Sequence, residues 1–195
     1  MTHIDPAALR QLFTEARTFS YWRQHPVADE LIESALGMAL LGPTSGNCEP
    51  MRVVLVKSAE GKERLLACVS SGNSEKVRAA PVTAIVAYDT KFYEHLPRLF
   101  PHTDARGWFT SNEALATETA FRNSSLQGGY FILALRARGL DCGPMSGFNN
   151  AKVDAEFFPD GQYKSNFLLN IGYGDPDKLH DRPPRLGLDE VRRWA

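Results

Sequence analysis

Residues Leu41 to Pro50 read LGPTSGNCEP. After Leu41, every position is Gly, Pro, Thr, Ser, Asn, Cys or Glu. Immediately upstream, Val27, Leu31, Ile32, Ala35 and Leu36 recur at helical spacing and share one face. Immediately downstream, Arg52 to Ser58 (RVVLVKS) is a β-branched run with strand chemistry. The run therefore stops a helix at Gly42-Pro43 and delivers the chain into a strand. Gly, Pro, Ser and Asn suit an ordinary turn for local reasons. The same hydroxyls and amide could also hold a ligand.

Outward from this junction, Asp5-Pro6 is a cap followed by a first-turn proline, and Ala8, Leu9, Leu12, Phe13 and Ala16 continue at helical spacing. Arg17 to Arg23 (RTFSYWR) breaks the pattern. Glu60–Val69, Glu113–Arg138 and Asn150–Phe158 read as helices, the long one closed by Gly139. Pro81–Tyr88 and Lys164–Tyr173 read as strands. Thr90 to Thr110 is a long irregular insert, the kind of loop that often forms a lid. About three strands thus serve at least five helices with no βαβ alternation. The expected class is α+β, a small sheet wrapped by helices, in a single domain over residues 1–195.

Composition narrows the function. With 22 basic and 23 acidic residues the formal net charge is −1, so no basic excess points to nucleic acid or an anionic membrane. No apolar run reaches membrane-helix length, and MTHIDPAALRQLF lacks the charged and apolar regions of a secretory signal. Three scattered cysteines, Cys48, Cys68 and Cys142, fit reduced thiols and a cytoplasmic location. The P-loop pattern, the GxSxG elbow and HExxH are all missing, and the five histidines show no metal-ligand spacing, so no metal is expected. Gly172-Tyr-Gly174 starts like a dinucleotide fingerprint, but Pro176 stands where the helix should open. Reactivity is therefore expected to come with a cofactor.

Four polar segments remain: Arg17-Thr18-Phe19-Ser20, Pro43 to Asn47, Asn73 to Lys76, and Gly143 to Gly147; the tail adds Arg182 and Arg185. Each alone reads as a turn, a helix edge or a solvated tail. Together they suit a flavin mononucleotide. Arginine forks bind its phosphate, hydroxyls and amides its ribityl chain, and glycines let backbone approach a flat ring.

The wording GPTSGNCEP, SSGN..K...APVTAIVA, FYEHLPRLFPHTDARGWFTS, ETAFRNSS, GLDCGPMSGF and KSNFLLNIGYGDPDKL resembles the FMN-dependent nitroreductase family, in particular its malonic semialdehyde reductase branch from pyrimidine degradation. The resemblance runs from about Leu12 to Leu188. It implies a mostly antiparallel central sheet and an intertwined homodimer with FMN at the subunit interface. It places Arg17 and Thr18 at the FMN, with Ser20 where the family commonly carries a cation. Pro43, Thr44, Ser45 and Asn47 would reach the FMN held mainly by the other subunit. Asn73 and Lys76 would meet the ribityl and pyrimidine side. Pro144, Met145, Ser146 and Gly147 would face the ring's N5 and O4, and Arg185, with Arg182, the phosphate.

The implied activity is an NAD(P)H oxidoreductase that reduces malonic semialdehyde (3-oxopropanoate) to 3-hydroxypropanoate by ping-pong hydride transfer through FMN, with NADH or NADPH as reductant. A broad NAD(P)H nitroreductase or quinone reductase, or a flavin-binding protein without turnover, are the alternatives. Within the insert, Arg106 is the first candidate for the substrate carboxylate and Arg98 the second, because a guanidinium fork matches a carboxylate. The insert reads equally as a surface excursion packed by its own aromatics.

Overall fold

The computed structural model describes residues 3–195, so the first two residues of the expected 1–195 unit lie outside it. In chain order the elements are α1 (Pro6–Leu9), α2 (Asp29–Ala39), β1 (Met51–Val56), α3 (Ala59–Leu66), α4 (Ser71–Ala79), β2 (Val82–Asp89), α5 (Leu96–Leu99), α6 (Gly107–Thr110), α7 (Glu113–Ala137), β3 (Asp141–Met145), α8 (Asn150–Phe157), β4 (Tyr163–Gly172) and α9 (Leu188–Val191). The strands form one antiparallel sheet in the order β1-β2-β4-β3, which is the expected α+β class.

Four expectations need correction. The sheet has four strands rather than about three. The additional strand, β3, is DCGPM, whose glycine and proline read as a loop. It lies at the sheet edge, where a proline is tolerated because its outward side need not donate a ladder bond. α4 is also hidden in the sequence, since only Val77 of its nine residues is fully buried and no apolar stripe develops. The insert, finally, is not irregular. A 3₁₀ turn at Phe92–His95, then α5 and α6, stack Phe92, Leu96, Ala105 and Phe109 against Cys48, Ala116 and Ala120. The first helix also differs, ending at Leu9 and continuing as a π turn over Arg10–Thr14.

β2 explains the two-sided core. Val82, Ala84 and Val86 face Ile32, Ala35, Phe131 and Leu135 of α2 and α7, whereas Ile85 and Ala87 face Leu65, Val77 and Val153 of α3, α4 and α8. Alternate residues go to opposite faces, and both faces are covered, so the strand is apolar apart from Thr83 and its last two residues, Tyr88 and Asp89. Phe131 is fully buried, and Phe131→Ala would cost roughly 3–5 kcal/mol through lost contacts and a cavity. Among the described residues, no helix is long and apolar enough to cross a membrane.

Candidate active site

The LGPTSGNCEP junction is fixed by its own polar groups. Thr44 Oγ1 accepts from Glu49 N–H at 3.2 Å, and Asn47 Nδ2 donates to Leu99 O at 2.9 Å. α7 supplies buried acceptors, Asn123 Oδ1 for Ser45 N–H at 2.8 Å and Gln127 Oε1 for Met51 N–H at 3.0 Å. This accounts for the amides inside ETAFRNSSLQGG, which satisfy backbone donors that a buried crossing would otherwise orphan. Gly46, Asn47 and Glu49 have φ of 57°, 50° and 39°. Gly and Asn adopt that left-handed region most readily, while Glu49 is strained there.

At the other end of α7 lies a cleft of about 640 Å³, within the usual size range of a small-molecule site. It is lined by the N-terminal segment Arg17 to Tyr21, by Lys76 and Arg136, and by the tail residues Asp175, Lys178 to Pro183 and Arg185. Six of its side chains are cations, Arg17, Lys76, Arg136, Lys178, Arg182 and Arg185, against the carboxylates of Asp175 and Asp181. Such a surplus in one concavity favours an anion.

Local pairing puts these groups there. Thr18 bridges Cys142 in parallel, and Phe19 N–H donates to Cys142 O at 3.0 Å, which lays the N-terminal segment along the free side of β3. The approach is so close that a Cβ on Gly143 would stand 2.3 Å from Phe19 O. Arg17 Nη2 then donates to His180 O at 2.5 Å, while Arg182 Nη2 donates to Thr14 O and Ala16 O, each at 2.9 Å. The two arginines tie the tail to the N-terminal segment and leave their charge at the cleft. Arg136 donates to Leu12 O at 3.0 Å, but its buried Nε has no partner, an unmet donor beside the cleft.

Of the residues expected at a flavin, Arg17, Thr18, Ser20, Lys76, Arg182 and Arg185 line this cleft. Asn73 and Gly147 join through Lys76, whose Nζ donates to Asn73 Oδ1 at 3.0 Å while Asn73 Nδ2 donates to Gly147 O at 3.2 Å. Pro144, Met145 and Ser146 run along and just past the end of β3, with Pro144 and Ser146 exposed. Pro43, Thr44, Ser45 and Asn47 do not line the cleft of their own chain. Asn123, which holds their loop, lies 13 residues from Arg136 along α7, about 20 Å at 1.5 Å per residue.

Sequence reasoning missed Arg136 and Lys178. Nothing about a lone arginine in a helix's last turn, or a lysine after a proline in a tail, distinguishes it from a solvated charge.

In the insert, Arg106 closes a two-point fork on Glu94, Nε to Oε2 at 2.7 Å and Nη2 to Oε1 at 2.8 Å. Those bonds hold the Glu94 carboxyl below its ordinary range and push the Arg106 guanidinium up. Arg98 is exposed, with no hydrogen bond or ion pair among the described residues. The root of the insert is fixed by Asp89, wholly buried, which accepts from Arg52 at 2.7 Å and from Lys91 N–H at 2.8 Å.

The family described as "Nitroreductase family" matches residues 15–173. This chain belongs to the nitroreductase family. A curated relative from Ralstonia nicotianae, provisionally named an NADH dehydrogenase/NAD(P)H nitroreductase, is 55% identical over 193 residues, spanning 99% of each chain. Two solved structures share the fold of this nitroreductase-family chain at low identity. One is a Bacillus subtilis protein provisionally named a nitroreductase, with TM-score 0.88, 21% identity and coverage of 98% of this chain and 100% of the other. The second is an Exiguobacterium sibiricum protein provisionally named a nitroreductase and solved in complex with FMN, with TM-score 0.84, 20% identity and coverage of 100% and 99%. With family membership come the expected enzyme class and cofactor, an FMN-dependent oxidoreductase using NAD(P)H. The cleft fits that cofactor: its cations suit a dianionic phosphate.

Proposed function

We propose that the protein is a homodimeric malonic semialdehyde reductase, converting 3-oxopropanoate, NAD(P)H and a proton to 3-hydroxypropanoate and NAD(P)⁺. The observations that support this reading are a cationic cleft and an aromatic insert at the other end of α7 that presents two arginines, Arg98 and Arg106, on an exposed surface, where across the proposed dimer it would meet the partner's cleft. The substrate is small and bears one carboxylate, for which a guanidinium fork is the best-matched side chain.

FMN, when bound, supplies the hydride relay between nicotinamide and substrate. The chain's own residues do the rest. Arg17, Arg182 and Arg185 would hold the phosphate, and Lys76 the ribityl and pyrimidine side. Asn73 would fix Gly147 so that the Pro144–Gly147 segment presents its backbone at a constant height. Arg106 would leave Glu94 for the substrate carboxylate, an exchange of one exposed two-point pair for another that costs little net energy. Arg98 needs no such exchange.

The homodimer rests on unpartnered apolar groups. Leu186, Leu188, Val191 and Trp194 are 68%, 70%, 64% and 86% exposed in a tail that carries no core of its own. Phe121, Leu126 and Tyr130 add exposed apolar surface on α7, and β1 is an unpaired sheet edge carrying Leu55. Exposed groups on this scale mark a protein interface. Across such an interface, the Pro43–Asn47 loop, too far along α7 for its own cleft, would serve the partner's.

A second reading, a broad NAD(P)H nitroreductase or quinone reductase, is favoured by the Arg106–Glu94 pair, which leaves the fork already satisfied. Steady-state turnover separates the two. The first reading expects kcat/KM for malonic semialdehyde well above that for menadione or nitrofurazone, and a rise in KM for malonic semialdehyde alone in Arg106→Ala or Arg98→Ala. Turnover of menadione and nitrofurazone without malonic semialdehyde would establish the second.

A further inference from the structure

Two polar residues face each other in the apolar middle of the sheet. Thr83 of β2 and Asn170 of β4 are register partners, and both are completely buried. Thr83 Oγ1 donates to Asn170 Oδ1 at 2.7 Å, and Asn170 Nδ2 donates to Lys76 O at 2.9 Å. A buried lysine completes the group. Lys62, on α3, donates through Nζ to Val77 O at 2.8 Å, to Ala80 O, and to Thr83 Oγ1 at 3.5 Å.

The recipients are the carbonyls at the C-terminal end of α4. A helix leaves its last carbonyls without intrahelical partners, and a cation there is favoured by the helix dipole. Burial of an ammonium is costly, and here it pulls Lys62 down to about 8. A methionine in its place would avoid that cost but leave the Val77 and Ala80 carbonyls without their donor. What the ammonium adds is a fixed position for α4 relative to the sheet.

α4 is the element that carries Asn73 and Lys76. Lys76 lines the cationic cleft, and Asn73 ties both Lys76 Nζ and Gly147 O. We propose that Lys62, acting with Thr83 and Asn170, is a positioning residue for the FMN site: it clamps the C-terminal end of α4 so that Lys76 presents its charge at the cleft. This rests on the reading of the cleft as the FMN site. Lys62 itself touches no ligand in this scheme. As proposed, its effect on FMN passes through Lys76.

That requirement gives the test. Apoprotein is titrated with FMN by flavin fluorescence for the wild type, Lys62→Met, Lys76→Met and the double variant. If the wild type takes up no FMN, the FMN reading of the cleft falls and this inference falls with it. With FMN bound by the wild type, Lys62→Met is expected to weaken it about tenfold, and Lys62→Met added to Lys76→Met to change it by less than about twofold, because coupled residues do not add. An unchanged Kd in Lys62→Met, or the same weakening in both backgrounds, would overturn the positioning role while leaving the FMN site intact. Should Lys62→Met not fold, Thr83→Val, which removes the hydroxyl that orients Asn170, is put through the same cycle with the same criteria.

Discussion

Arg17 performs two tasks that substitution can separate. Its guanidinium lines the cationic cleft, and its Nη2 holds His180 O at 2.5 Å. Arg17→Ala removes one charge-assisted contact to a bound phosphate, about 1.5–3 kcal/mol. At 1.4 kcal/mol per tenfold, FMN affinity should fall about 10- to 150-fold. It also removes one staple between tail and N-terminal segment, although Arg182 retains two bonds to Thr14 O and Ala16 O. Arg17→Lys keeps the charge but loses the fork, so its FMN affinity should lie between the wild type and Arg17→Ala. Arg64→Ala is the control: Arg64 pairs with Glu156 at 2.6 Å on an exposed face, where such a pair contributes little and reaches no cleft. The assay is titration of apoprotein with FMN at two salt concentrations. Arg17→Ala should also show a weaker salt dependence than the wild type, since it has one cation fewer at the phosphate. An unchanged FMN Kd in a folded Arg17→Ala would refute the placement of the phosphate in this cleft.

Removing residues 186–195 takes away four exposed apolar side chains, whose burial by a partner would contribute roughly 6–12 kcal/mol before association costs; sedimentation should show a dimer becoming a monomer at micromolar concentration, and an unaltered dimer would contradict the tail's proposed role. Gly147→Ala and Gly143→Ala should differ in kind. A Cβ on Gly147 would stand 2.3 Å from Asn73 Nδ2, the movable end of a side chain, so thermal stability should barely change while FMN affinity falls. On Gly143 it would stand 2.3 Å from the Phe19 backbone, so about 1–3 kcal/mol of stability should go as well; equal Tm losses would contradict the distinction. Burial pushes the Cys48 thiol up to about 11 and Cys142 to about 12 from 9.0. The unfolded thiols ionise first, so their contribution is complete below pH 9.0 and is lost as pH rises through about 11 and 12. Cys142→Ala should flatten that alkaline loss in Tm, and an identical pH profile would contradict it.

The legible parts of the fold are those where one physical signal dominates. RVVLVKS and PVTAIVAY are strands because β-branched and apolar residues run unbroken there. Glu113–Arg138 reads as a helix that ends where Gly139 takes a positive φ of 76°. β3 and α4 escaped because tertiary context decides them: β3 lies at the sheet edge beside Thr18, and α4 is held by side chains from α3 and the sheet. The insert's aromatics were legible as residues but not as a core, since Cys48 comes from a segment far upstream and Ala116 and Ala120 from the helix that follows. In the cleft, Arg17, Lys76, Arg182 and Arg185 stood out through the family resemblance, whereas Arg136 and Lys178 needed the fold to bring them alongside. Thr83 and Asn170 were concealed by the apolar runs around them, where one polar residue does not disturb a strand reading.

Reduction of malonic semialdehyde by the loaded protein is the most direct test. The protein is reconstituted with FMN, bleached anaerobically with one equivalent of NADH or NADPH, and mixed with malonic semialdehyde in a stopped-flow spectrometer. The proposed function predicts that the oxidised flavin absorption returns and that one 3-hydroxypropanoate forms per FMN. A flavin that stays bleached with malonic semialdehyde, yet recolours at once with menadione, would contradict it.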